Sequence, residues 1–265
     1  MVSCPPFIMN DHDGTGRELK VLNRGFEIVE LVCDHPELTL TEIAEELEIP
    51  KSTAHIYLQT MEQAGYVVNS ESGYEVSFKF LTIGGIRRNR THLYEVAKEP
   101  MRELASELDD VFNVALGMEE LGQRVLIYKI EGQKSPFADV PVGHMTNLHW
   151  VSHGKALLSK LDDERIESIV DRHGLPRATE NTITELDKLF DELETVRDRG
   201  YSLEDEERVE GIRAVAIPIE GTETDPYGSI SISGPKSRLD DERIPALVDR
   251  LETTANIVEI EYKNY

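Results

Sequence analysis

Cysteine is almost absent from this chain of 265 residues, which has only Cys4 and Cys33. Cys4 sits in a polar N-terminal stretch and Cys33 in a helical pattern. No disulfide framework is therefore expected, and a reducing cytoplasm suits the sequence. Long apolar runs are absent too, so no membrane-spanning helix is expected. The opening MVSCPPFIMNDHDGTG lacks the basic and apolar regions of a secretion signal. Residues 1–18 read instead as a disordered tail, with Met9 a second candidate start. Three catalytic signatures are missing: a nucleophile elbow, a phosphate-binding glycine loop and a Cys-x-x-Cys pair. Positive charge is scarce. There are 28 Lys and Arg against 51 Asp and Glu, a formal charge of −23.

The acidic residues are spread over every segment, as in LDDERIES, LEDEERVEG and LDDERIPALVDRLE. A single acidic block would mark an interaction tail. A uniformly acidic surface suits molar salt, where the screening length falls to about 3 Å. The bias resembles that of proteins from halophilic, haloarchaeal-type organisms that keep molar salt in the cytoplasm.

Three helices and a hairpin are expected over residues 19–79. Leu19, Leu22, Phe26, Val29 and Val32 recur at helical spacing, and Pro36 ends that helix. Thr39 and Thr41 are both candidate N-caps of a second helix, and Glu42 completes a capping box with Thr39. Its buried stripe is Ile43, Ala44 and Leu47. Ser52 is a candidate N-cap for a third helix facing inward through Ala54, Leu58 and Met61. Gly65 suits the left-handed C′ position. YVVNSESGYEVS reads as two short strands around a turn. This is the pattern of a winged helix-turn-helix. A linker helix is expected over 80–99, broken at Gly84-Gly85 and kinked or restarted at Pro100.

Residues 100–265 alternate strands with helices, several strands being joined by short turns. That predicts an α+β sandwich with a mainly antiparallel sheet. His144, His149 and His153 fall within ten residues. On a helix, His149 and His153 would share a face as metal ligands do, but no Cys pair or carboxylate completes a set nearby. The three read as pocket or loop histidines. The alternative is a zinc-binding or catalytic domain fused to a DNA-targeting module.

The segment IPKSTAHIYLQTMEQAGYVV resembles the recognition-helix signature of the isocitrate-lyase-regulator (IclR) family of transcription factors. TNLHWVSHGKALLSKL, TITELDKLFDELETVRDRGYSLEDEERVEGIRAVAIPI and GSISISGPKSRL are similar to further family segments in the same order. The resemblance covers the chain from residue 19. It implies a winged-helix DNA-binding domain, a linker helix and a GAF-like effector domain. It also implies a homodimer or dimer of dimers, operator DNA as partner and no enzymatic activity. No cofactor is implied beyond a small effector, an organic acid or aromatic metabolite.

Carried over by position, the DNA-contacting set is Lys51, Ser52, Thr53, His55, Tyr57 and Gln59, with Arg24 beside them. Tyr57 could equally pack in the core. Ile56 departs from the family, which often has Arg there. The basic cluster Arg87, Arg88 and Arg90 reads as DNA-flank contact or surface salt bridging. The effector set is Ser152, His153, Gly154, Glu204, Ala214, Ser231 and Ser233. Amides at Ser152–Gly154 would hold a carboxylate, and His153 would shrink the pocket and add a donor or a pH-sensitive charge. Ser231 and Ser233 alternate with Ile230 and Ile232, so both hydroxyls share one face of a strand. Val140, Val142 and Met145 are apolar candidates for the pocket lining or the core. Residues 21–79 hold three cations against eleven carboxylates, a net charge of −8, where DNA-binding domains are ordinarily basic.

Overall fold

A computed structural model describes residues 19–135, 140–220 and 228–264; the 1–18 stretch lies outside them. The chain divides into two compact units between Arg87 and Arg88.

The first unit contains α1 (Lys20–Asp34), α2 (Leu40–Glu46) and α3 (Lys51–Gln63), then the hairpin β1 (Val67–Asn69) and β2 (Tyr74–Val76). The capping box is present: Thr39 caps α2 and Glu42 reaches back to the Thr39 amide at 2.8 Å. Gly65 takes φ +76° after α3. Ile28, Val32, Ile43, Leu58 and Val67 form the core. The stripe expected on α1 is displaced. Ile28 and Val32 are buried, whereas Leu19, Leu22 and Phe26 are exposed. The periodicity is real, but among the described residues part of it marks an exposed face. Ser52 does not cap α3. Pro50 holds the N-cap position, placing Ser52 inside the first turn with its side chain exposed. Pro50 brings the fixed φ suited to a helix start.

The expected linker helix is two helices, α4 (Lys79–Asn89) and α5 (His92–Ser106). α4 runs through Gly84 and Gly85 without a break, and among its described residues none is buried. α5 runs through Pro100. Leu93, Ala97, Pro100, Met101 and Leu104 are buried along it, and that packing holds the helix despite the lost amide.

In the second unit the strands are β3 (Asn113–Glu120), β4 (Gln123–Ile130), β5 (Met145–Asn147), β6 (Ser202–Asp205), β7 (Ile212–Ile219) and β8 (Gly228–Pro235). They form one sheet in the order β5-β4-β3-β8-β7-β6, every neighbour antiparallel. The helices are α6 (Ser152–Leu158), α7 (Asp163–His173), α8 (Leu186–Arg199) and α9 (Ile244–Lys263).

The sheet's two faces are written in the alternation of its strands. Val114, Leu116, Met118, Val215, Ile217, Ile219, Ile230 and Ile232 pack with α5 and α9 in the main core. The intervening positions are small or polar. Glu204, Ala214, Ser233 and Asn113 lie in one cross-strand row, and Ser202, Ala216, Ser231 and Ala115 in the next. Small side chains here leave room for α6 and for a cavity.

Thr39→Ala removes the α2 cap and should cost the first unit about 1 kcal/mol. A lowered denaturant midpoint with unchanged m-value is expected, and an unchanged midpoint would mean that the capping box contributes nothing.

Candidate functional site

A cavity of about 250 Å³ opens on the small-residue face. Ser152, His153, Glu204, Ala214, Ser231 and Ser233 line it, together with Asn113, Ala115, Arg124, Leu126, Lys129, Val140 and Arg208. Of the seven effector positions expected from the sequence, Gly154 alone does not line it. A Cβ at Gly154 would lie 2.0 Å from the Leu148 carbonyl oxygen. This glycine allows α6 to press against the preceding 3-10 turn. Val140 lines the cavity, whereas Val142 is exposed and Met145 is not among the lining residues.

Sheet serines position the first turn of α6. Ser202 Oγ donates to the Ser152 carbonyl at 2.6 Å, and Ser229 Oγ to that of His153 at 3.3 Å. The Ser152 amide donates to Glu204 Oε2 at 3.4 Å, so the chain's own carboxylate already meets the helix terminus expected to bind an effector. His153 Nε2 donates to the Ala115 carbonyl at 3.0 Å. Burial, then the neighbouring Arg124, pushes its pKa down to about 3. His153 is thus a neutral wall rather than a pH-sensitive charge. Its ring rests over Gly117, where a Cβ would meet Cδ2 at 2.7 Å.

The three histidines do not converge as metal ligands. His149 and the Trp150 indole both bond the Pro176 carbonyl, away from His153. His144 is held neutral, its pKa lowered to about 4 by burial and by Arg208 and Arg124. No group of three His, Cys, Asp or Glu among the described residues could hold a metal ion.

The residues missed in the sequence are the cavity's cations. Arg124 is 3% exposed, and its Nε is buried without a hydrogen-bond partner. Burial, with repulsion from Arg208, lowers its pKa to about 9; Glu204 opposes the shift. Arg208 is half-buried and, among the described residues, closes on no carboxylate within ion-pair distance. Glu204 is pushed up to about 7, mainly by burial and by Glu207, against the pull of Arg208, the Ser152 amide and Lys155. A register shift between Leu116 and Gly117 explains part of the oversight. Gly117 pairs with Leu126 and Ala115 with Lys129, so the inward parity of β4 changes and simple alternation fails.

Behind the cavity, Lys155 is fully buried. It bonds Glu207 at 2.7 Å and Glu192 at 3.1 Å. Thr182 Oγ1 donates to the Glu207 carbonyl at 2.6 Å. These contacts pin the turn that follows Glu204 in β6 and carries Arg208.

In the first unit, α3 presents Lys51, Ser52, His55, Ile56 and Gln59 to solvent, Ile56 at 64% exposure. Thr53 is partly buried, and Tyr57 packs against the core. Arg24 is occupied internally, donating to the Leu47 carbonyl at 3.3 Å and pairing with Glu27 at 2.6 Å. From Lys51 to Met61 the helix carries no carboxylate. In a domain of net charge −8 this stretch is free of acid, the one carboxylate of α3, exposed Glu62, lying in its last turn.

The IclR helix-turn-helix domain matches residues 21–71, and the C-terminal domain of IclR bacterial transcriptional regulators matches residues 88–260. The HTH-type transcriptional regulator ArcR of Halobacterium salinarum is 30% identical over 257 residues, covering 94% of this chain and 96% of that protein. The crystal structure of Thermotoga maritima IclR superposes with a TM-score of 0.75 at 26% identity, covering 92% of this chain and 99% of that one. An IclR homologue of Microbacterium hydrocarbonoxydans, crystallised with 4-hydroxybenzoate, shares the fold with a TM-score of 0.76 at 20% identity, covering 92% of this chain and all of that one.

Glu204→Gln removes a buried carboxyl whose charged form the fold penalises. With its pKa raised from 4.5 to about 7, Glu204 lowers stability as pH rises through that window, by up to about 3 kcal/mol above it. The variant should therefore melt above wild type at pH 8 and converge with it below pH 4.5. Equal melting temperatures at pH 8 would contradict this assignment.

Proposed function

The chain belongs to the IclR family of transcriptional regulators, and from that premise we propose how it reads DNA and what it senses. The first unit carries the family's helix-turn-helix and the second its effector-binding domain. The acid-free run from Lys51 to Met61 of α3 is the observation that carries the DNA reading. Amides at the α3 N-terminus, with Lys51 and Ser52, meet phosphate. His55 and Gln59 reach base edges in the major groove, and exposed Ile56 offers an apolar surface for a thymine methyl. Thr53 and Tyr57 support the helix from its inner side, and Arg24 fixes α1 to the end of α2.

The effector is a small carboxylate held in the cavity by Arg124, Arg208, Ser231 and Ser233. Two guanidinium groups against the single carboxyl of Glu204 in so small a space favour an anion. The 4-hydroxybenzoate bound by the Microbacterium protein is one such carboxylate. The protein works in the cytoplasm as a regulator without catalytic activity or further cofactor. It assembles as a homodimer or dimer of dimers, which would cover Leu19, Leu22 and Phe26 of α1 and Leu81 and Ile83 of α4, all now exposed. Its acidic surface is an adaptation to high salt.

Selection of duplexes from a random pool, followed by affinity measurement, tests the DNA reading. His55→Ala should relax the selected sequence and cost roughly 1–3 kcal/mol on the preferred site. Ile56→Arg should strengthen binding to all duplexes and steepen the log–log salt slope by about 0.9, the signature of one added phosphate contact. An unchanged selected sequence in the first variant and an unchanged slope in the second would overturn the assignment of this face.

A further inference from the structure

Two guanidinium groups and one carboxyl share the cavity, and that proportion has a chemical consequence. A buried charge is costly unless paired. Arg124 Nη1 donates to the His144 carbonyl at 3.5 Å, and Nε is left without a partner. Arg208 closes on no described carboxylate. Glu204 alone stands against both. The other charged or titratable groups around it are committed or neutral. Glu207 and Glu192 are taken by Lys155. Asp205, on the opposite face of β6, pairs with Arg213 and Lys236. Lys129 pairs with Glu131, and His144 and His153 are uncharged. The strands β7 and β8 contribute Ile212, Ala214, Ser231, Ser233 and Gly234 to the lining, none of them charged.

We propose that Arg124, Arg208 and Glu204 form a carboxylate-selective clamp in which the effector's anion pairs with the two arginines while Glu204 takes up one proton and donates it as a hydrogen bond. This rests on reading the cavity as the effector site. The balance is simple. A carboxylate ligand and a proton enter, no bond between heavy atoms changes, and Glu204 passes from carboxylate to carboxylic acid. A second negative charge beside Glu204 holds its proton more tightly, because like charges cannot both remain ionised cheaply in a dry site. Glu204 titrates near 7 in the free protein. Below that pH it is already protonated, and binding takes up almost nothing. Above it, each binding event consumes up to one proton, and affinity falls by up to about tenfold per pH unit.

The test is calorimetric titration of the full chain with formate, acetate, benzoate and 4-hydroxybenzoate, and with the amide of each, at pH 6, 7 and 8, where Arg124 keeps its charge, and at one KCl concentration. Two buffers of different ionisation enthalpy report the proton. At least one acid should bind and its amide should bind at least about tenfold more weakly. Its affinity should be flat to pH 7 and fall above it, with proton uptake appearing over the same range. Glu204→Gln should keep the acid and lose both the pH dependence and the uptake. Arg208→Met should weaken the acid at least about tenfold and abolish the preference over the amide. Arg124→Met should do the same where circular dichroism shows it folded; half-exposed Arg208 carries the test where it does not. Failure of every acid to bind, or binding by wild type at pH 8 without proton uptake, overturns the clamp. Amides that bind as well as acids, and that lose affinity in Ser233→Ala, would keep the cavity as the effector site while removing the clamp.

Discussion

Scarcity of positive charge is the constraint on which this structure turns. With 28 basic residues against 51 acidic ones, an unneutralised cation is a limited resource. Arg213 lies between Asp205 and Asp241, Lys236 meets Asp205 and Glu206, and Arg238 and Arg243 share Asp109. Against that background, two arginines facing a cavity with one carboxyl between them stand out. So does a helix whose exposed face begins with Lys51 and carries no acid for eleven residues. Both places are where an anion is expected, a metabolite in one and DNA phosphate in the other.

The buried Lys155 links the fold to the site. An ion pair buried this deeply adds little net stability, because desolvation offsets its attraction. Its consequence is geometric. Lys155 ties α6 to Glu207 on the turn after β6 and to Glu192 on α8. That fixes the segment from which Glu204 and Arg208 enter the cavity. The serines at 202 and 229 hold the first turn of the same helix by its carbonyls. The cavity is thus walled by a short helix held from the sheet below and by ion pairs at its side.

Much of this was legible in the sequence, for identifiable reasons. The capping box at Thr39 and Glu42 is a local rule with no competitor nearby. The alternation of Ser231 and Ser233 with Ile230 and Ile232 gave the correct face because β8 is regular across its pairing with β3. What escaped depends on long-range structure. Arg124 sits in an apolar strand, but the register shift in its partner alters inward parity along β4. Arg208 is embedded in an acidic run that reads as solvated surface. Pro100 looks like a helix break, yet burial of the α5 face outweighs it. Leu19, Leu22 and Phe26 follow helical spacing faithfully, but spacing does not say whether a face is covered by the same unit or by another chain.

The central claim is that an acidic protein binds its DNA through a helix whose first eleven residues carry no acid, with little counterion release. The most direct measurement is the affinity for a selected duplex across a KCl series, restricted to concentrations where circular dichroism shows the chain folded. A basic protein with six phosphate contacts gives a log–log slope of about −5. The account predicts a slope much nearer zero, or positive, because carboxylates flanking α3 take up cations as the DNA approaches. A slope of about −5 or steeper would contradict it.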